Sequence, residues 1–235
     1  MCRTVGLSPD RGYPVEVPDP VATNIIVFGR GLILNGTNCE LTEASAARVD
    51  ALLAYVDQNR AVFACRGGTV VFSGGWAGAG QNLEKPPERF REGSLMQSRA
   101  SAADIDGSKL AEYVETFAEI ESDSTLENVL EIQAADYFHG QTFTARNRLG
   151  LVAHKEHLKR IDYLVRSVFK LPRDAVFHIV VQGVDKTSSG VPESLILQVT
   201  RLVFAGAGGA NALRRRQRIL IDLNHALSAT MHHRK

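Results

Sequence analysis

Short apolar runs recur along this chain, at residues 24–28, 69–72, 114–120, 149–153 and 175–181, separated by longer amphipathic or polar stretches. The first, Asn-Ile-Ile-Val-Phe, is continuous rather than alternating. A strand that is apolar on both faces belongs inside a parallel sheet with helices packed on each side. Strand, helix and strand in succession imply right-handed crossovers and parallel pairing. The expected architecture is therefore α/β: a Rossmann-like three-layer fold with a mostly parallel sheet of about five strands and a C-terminal helical extension. Residues 1–22, with Pro9, Pro14, Pro18 and Pro20, form an extended lead-in. Residues 23–183 make the Rossmann-like domain, and residues 184–235 a mostly helical extension packed on it.

The helices announce themselves by stripe and cap. Residues 42–59 place Val49, Leu52, Leu53 and Val56 on one face, with Thr42 as N-cap. Arg48 on that helix reads as a solvated or salt-bridged arginine. Residues 92–103 form a helix that starts at Glu92 and turns Met96 inward. Two more helices are expected at residues 126–137 and 154–171. A last helix at residues 212–230 would bury Leu213, Ile219, Leu220, Leu223 and Leu227. Its Arg214, Arg215, Arg216 and Arg218 read as a solvated face. The polar stretch at residues 76–91 is long enough to be a lid, with Trp76 either covering a ligand or anchoring the loop.

Composition narrows the function classes. The formal net charge is +1, which gives no general attraction to nucleic acid or an acidic membrane. No apolar run has the length of a signal peptide or a membrane span. The three cysteines, Cys2, Cys39 and Cys65, have neither metal-site spacing nor a disulfide framework. These features predict a cytoplasmic protein whose partner is a small molecule, with no nucleic acid and no membrane; a homo-oligomer stays open.

The chemistry concentrates at residues 119–128, Glu-Ile-Glu-Ser-Asp-Ser-Thr-Leu-Glu-Asn. Ser124 and Glu127 stand in capping-box register, which starts a helix there. Capping does not account for Glu119, Ser122, Thr125 and Asn128. These groups fall at the carboxyl end of a strand and the amino end of a helix, where open α/β sheets bind ligands. Other strand ends add candidates. Gly29 and Gly31 follow the first strand, as a plain turn or a close approach to a ligand. Ser73, Gly74 and Gly75 follow the second and offer free N–H groups to a phosphate or carboxylate. His154, His157 and Arg160 open a later helix, as an anion grip, an acid–base pair or surface polarity. Glu119 and His157 are the candidate catalytic groups. Nucleophilic catalysis through a Gly-x-Ser-x-Gly elbow is excluded by the absence of that motif.

Taken in order, these motifs resemble the YdcF/SanA/ElyC-like family. The correspondence runs through Ile25 to Gly31, Arg48, Ser73 to Gly75, and Glu92 with Met96. It continues through Glu119, Ser122, Thr125, Glu127 and Asn128, and ends at His157 and Arg160, covering residues 24–181. The chain departs from the family at Ala153-His154, in the length of the loop at residues 76–91, and after Gly183. SanA- and ElyC-like members carry a membrane anchor, and this sequence shows none. The resemblance therefore implies the YdcF-like kind, a Rossmann-like protein able to bind S-adenosylmethionine. Two functions compete with such a nucleotide-like ligand and a transferase: a magnesium-dependent phosphoryl-transfer or hydrolytic enzyme, and a non-catalytic sensor or scaffold in envelope or specialised metabolism.

Overall fold

A computed structural model of the 235-residue chain describes residues 20–35, 38–76, 84–183, 192–207, 209–217 and 219. The strands are β1 (Asn24–Phe28), β2 (Leu32–Asn35), β3 (Asn38–Leu41), β4 (Thr69–Ser73), β5 (Glu115–Glu119), β6 (Leu149–His154) and β7 (Val176–Val181). The helices are α1 (Glu43–Gln58), α2 (Arg60–Arg66), α3 (Glu92–Ala102), α4 (Thr125–Ala135), α5 (Lys155–Phe169) and α6 (Glu193–Phe204). A further helical run covers residues 210–217.

Five strands form one parallel sheet in the order β5-β4-β1-β6-β7. The fold is the Rossmann-like three-layer arrangement expected. The reason β1 reads as an unbroken apolar run is visible in its packing. Ile26 and Phe28 face a cluster built from α4 and α5, including Val129, Ile132, Ile161 and Val165. Ile25 and Val27 face the other layer, with Val49, Leu52 and Val56 of α1 and Met96 and Ala100 of α3. All five residues of β1 are buried. The extension joins the first cluster through Phe204 and Leu213.

Some expectations need correction. A β2–β3 antiparallel hairpin stands between β1 and α1, where only a turn was expected. It delays the first crossover helix and so removes the strand–turn–helix geometry of a dinucleotide fold. Ile219 is 54% exposed rather than inward. Leu220, Leu223, Leu227 and Arg218 lie outside the described residues, as do the lead-in up to residue 19 and residues 77–83 of the candidate lid. Cys39 is free and buried, but Cys65 is disulfide-bonded, contrary to the sequence reading. Disulfides depend on proximity in space, which wide sequence spacing cannot reveal. Among the described residues no helix is long and apolar enough to cross a membrane.

Candidate functional site

The chain leaves β1 towards β4 and β5 on one side, then returns to pair β6 on the other. The carboxyl ends of β1 and β6 therefore flank the crevice where such sheets bind ligands. A cavity of about 440 Å³ lies there. Of the residues singled out from sequence, Gly29, Gly31, Gly74, Gly75, Glu92, Ser122, Thr125, Asn128, His157 and Arg160 line it. Ser73, Glu119 and His154 are buried and do not line it, and neither does Glu127.

The glycines serve a purpose different from the one expected. Glu92, the first residue of α3, puts its carboxylate into the turn after β1. Its Oε1 accepts from Arg30 N at 2.5 Å, Gly31 N at 2.6 Å and Ser45 Oγ at 2.5 Å. A β-carbon at Gly29 would fall inside that carboxyl group, and one at Gly74 would lie 2.7 Å from Oε2. The backbone nest is thus filled by the protein's own anion. Burial pushes the Glu92 carboxyl upward; bonds from Ser45, Gly31 and Arg30, and the Arg48 charge, oppose that. Glu92 Oε2 has no bonded partner among the described residues and sits on the cavity floor beside Gly74.

Glu119, at the end of β5, is not poised as a base. Its oxygens accept from Ser73 Oγ (2.8 Å), Ser122 Oγ (2.8 Å), Glu121 N (2.8 Å) and Ser122 N (2.9 Å). Four donors on a buried carboxylate fix the turn that carries Ser122 to Ser124 and aim the start of α4. Ser122 Oγ also bonds the Asn128 side-chain amide. Its one proton serves two acceptors, Glu119 Oε2 and Asn128 Oδ1, which ties the turn to the first turns of α4. Ser124 caps α4 by accepting from Glu127 N at 3.2 Å. Glu127 closes only part of the expected box, because its Oε2 accepts from Asp123 N at 3.2 Å. Burial and the neighbouring Asp123 carboxylate push Glu127 up to about 7.

Arg48, read from sequence as solvated or salt-bridged, is fully buried. It ties β1 to β6: Nη1 donates to Phe28 O (2.8 Å) and Gly29 O (2.9 Å), Nε to His154 Nδ1 (3.2 Å), and Nη2 lies 3.2 Å from His157 Nδ1. Arginine only donates, so both imidazoles carry a lone pair on Nδ1. Burial, then Arg160, Arg48 and Arg30, hold His157 well below its ordinary value. It is neutral, with its proton on Nε2, 3.5 Å from Thr125 Oγ1. Arg160 Nη1 donates to the same oxygen at 3.2 Å. The expected pair of His157 and Arg160 thus meets on Thr125, whose own hydroxyl proton stays available to the cavity.

Sequence reading missed Arg30, Ser45, Asp123 and Glu193. Ser45 and Arg48 share the stripe of Val49, Leu52 and Val56, a polar intrusion on a buried face that was the available signal. Glu193 follows Pro192 at the first turn of α6. That position looks like ordinary helix-dipole chemistry, so no sequence signal separates it. Trp76 forms part of the cavity wall and is 6% exposed. Among the described residues no group of three or more His, Cys, Asp or Glu is placed to hold a metal ion.

A Rossmann-like α/β protein with a polar cavity at its sheet switch point is the class that fold and site define. Comparison with protein-family models, curated proteins and solved structures returned no match.

Proposed function

We propose that the cavity binds a small nucleotide-like molecule, with S-adenosylmethionine as the leading candidate and group transfer as the reaction class. The observation that carries this reading is the Glu92 carboxylate in the turn after β1. It fills the place where a dinucleotide would set its phosphates and leaves Oε2 for a ribose hydroxyl, an ammonium or a sulfonium. The cavity volume of about 440 Å³ lies within the range of small-molecule sites, roughly 300–1,000 Å³. Glu92 supplies an acceptor, and Thr125 and the amino end of α4 supply donors, so one ligand with both polarities is matched. The resemblance to YdcF-like proteins, carried by Glu119, Ser122, Thr125, Glu127 and Asn128, points the same way.

One observation favours the magnesium-dependent phosphoryl-transfer reading. Asp123, which lines the cavity, and the adjacent Glu127 form a carboxylate pair of the kind that holds a hydrated divalent cation. The sensor or scaffold reading draws on Glu119 and Arg48, whose bonds are fully used within the protein. A thermal-shift screen separates the three. S-adenosylmethionine and its demethylated product are expected to raise Tm without magnesium. A rise confined to ATP or sugar nucleotides with magnesium would replace this reading by phosphoryl chemistry. No rise with any of them would leave the scaffold.

A further inference from the structure

Arg30 follows β1 and Arg160 lies on α5, yet both end on one carboxylate. Arg160 grips Glu193 with two nitrogens, Nε to Oε2 at 3.0 Å and Nη2 to Oε1 at 3.3 Å. Arg30 Nη2 lies 3.2 Å from Glu193 Oε1. The Glu193 side chain is 4% exposed, and those of Arg30 and Arg160 are 17% and 14% exposed. The two arginines line the cavity, while the carboxylate stands behind them. Its position is set by packing, because Ile196, Leu197, Thr200 and Phe204 of the same helix are buried. Arg30 and Arg160 share the cavity lining with two acidic residues, Glu92 and Asp123.

We propose that Glu193 is a specificity-determining residue, a resident anion held by the arginine pair. A planar carboxylate on two guanidinium groups is what a ligand's own phosphate or carboxylate would supply. With Glu193 in place, the cavity accepts an uncharged or cationic group at this end. An anion entering there must either displace a carboxylate fixed by the core or remain beside it with no guanidinium to itself. This rests on the reading that the cavity binds a small molecule, and it narrows the class to ligands with no phosphate at the Arg30–Arg160 end. Removing the Glu193 charge takes the shared carboxylate away from two partly buried arginines, an unfavourable change that an external oxyanion relieves.

The test is calorimetric titration of inorganic phosphate, without magnesium, into the wild-type chain, Glu193→Gln and Glu131→Gln. Glu131 pairs with Arg214 on the exposed surface and serves as control. Glu193→Gln is expected to bind phosphate at least tenfold more tightly than the wild type, with affinity falling as salt rises. Glu131→Gln is expected to gain nothing. If Glu193→Gln does not fold, Glu193→Asp keeps the charge on a shorter stem and is expected to show a smaller gain. Wild-type affinity within threefold of Glu193→Gln, or a folded Glu193→Gln with no gain, overturns the proposal. An anion gain without any wild-type response to adenosyl compounds would sink the functional reading and leave Glu193 its role; the reverse result would remove only that role.

Discussion

Arg48 Nη2 lies 3.2 Å from His157 Nδ1, and this contact decides which nitrogen of the imidazole carries the proton. The same guanidinium serves two backbone carbonyls and a second imidazole. Replacing Arg48 with Met would remove this donor from three buried acceptors and from the partly buried Gly29 carbonyl. Each orphaned acceptor costs about 1–3 kcal/mol, partly relieved by relaxation. Arg48→Met is therefore expected to lose roughly 3–5 kcal/mol in urea denaturation. Arg48→Lys should recover little, because a single ammonium cannot reach all four acceptors.

His157 makes stability depend on pH in a definite direction. Its folded-state value lies well below the ordinary 6.5, with burial as the first cause and the surrounding arginines next. The unfolded chain takes up a proton as pH falls through that ordinary value, and the folded chain does not. The contribution is fully present above the unfolded value and is lost as pH drops towards the folded one. Nitrogen-15 NMR should show His157 as the Nε2–H tautomer, unchanged through the range where exposed histidines titrate. A His157 that titrates near 6.5 would sink this assignment.

Glu127 works in the opposite sense. Its carboxyl is raised to about 7 by burial and by Asp123. The folded chain holds that proton after the unfolded chain has released it, so stability from this group declines as pH rises from about 4.5 to about 7. Glu127 is only partly buried, so solvent screening keeps the effect modest. Carbon-13 titration of the side chain should show a midpoint near neutrality, shifted down in Asp123→Asn. The capping bond from Glu127 N to Ser124 Oγ uses no side-chain atom of Glu127, so Glu127→Gln should keep the helix start and remove the titration.

Gly29 is expected to tolerate no side chain. Its α-carbon sits against the Glu92 carboxyl group, and a methyl there would have to push that carboxylate out of the Arg30–Gly31 nest. Overpacking of this kind costs about 1–3 kcal/mol. Gly29→Ala should show that loss in thermal denaturation, and Gly29→Ala with Glu92→Ala should regain part of it. A single variant as stable as the parent would mean that the carboxylate is free to leave the nest.

The layers were legible because the central strands β1, β4 and β6 alternate between two apolar clusters, which forces continuous runs such as Ile25 to Phe28. The placement of Glu119, Ser122 and Asn128 was legible too, since chemistry beyond capping stood out at a helix start. What could not be read was pairing at a distance. Arg48 lies 106 residues from His154, and Arg160 lies 33 from Glu193. A charged residue shows its type in sequence but not its partner. The glycines after β1 and β4 have the composition of a phosphate cradle, yet a carboxylate 62 residues beyond Arg30 fills it.

Glu119 and Asn128 give the sharpest separation between holding the site and touching the ligand. Glu119 does not line the cavity and spends its oxygens on four donors. An amide there turns an NH₂ towards groups that themselves donate, so Glu119→Gln should lose about 1–3 kcal/mol. It should also weaken the ligand by loosening residues 120–124. Asn128 lines the cavity and makes a side-chain bond to Ser122. Asn128→Ala should cost less stability but lose the side-chain amide that lines the cavity. Both variants are expected to abolish binding of the compound found by thermal shift while keeping a cooperative unfolding transition. Calorimetry is the measurement, and unchanged affinity in both would remove the binding site from this cavity. Loss in Glu119→Gln alone would place the ligand on the turn rather than on α4.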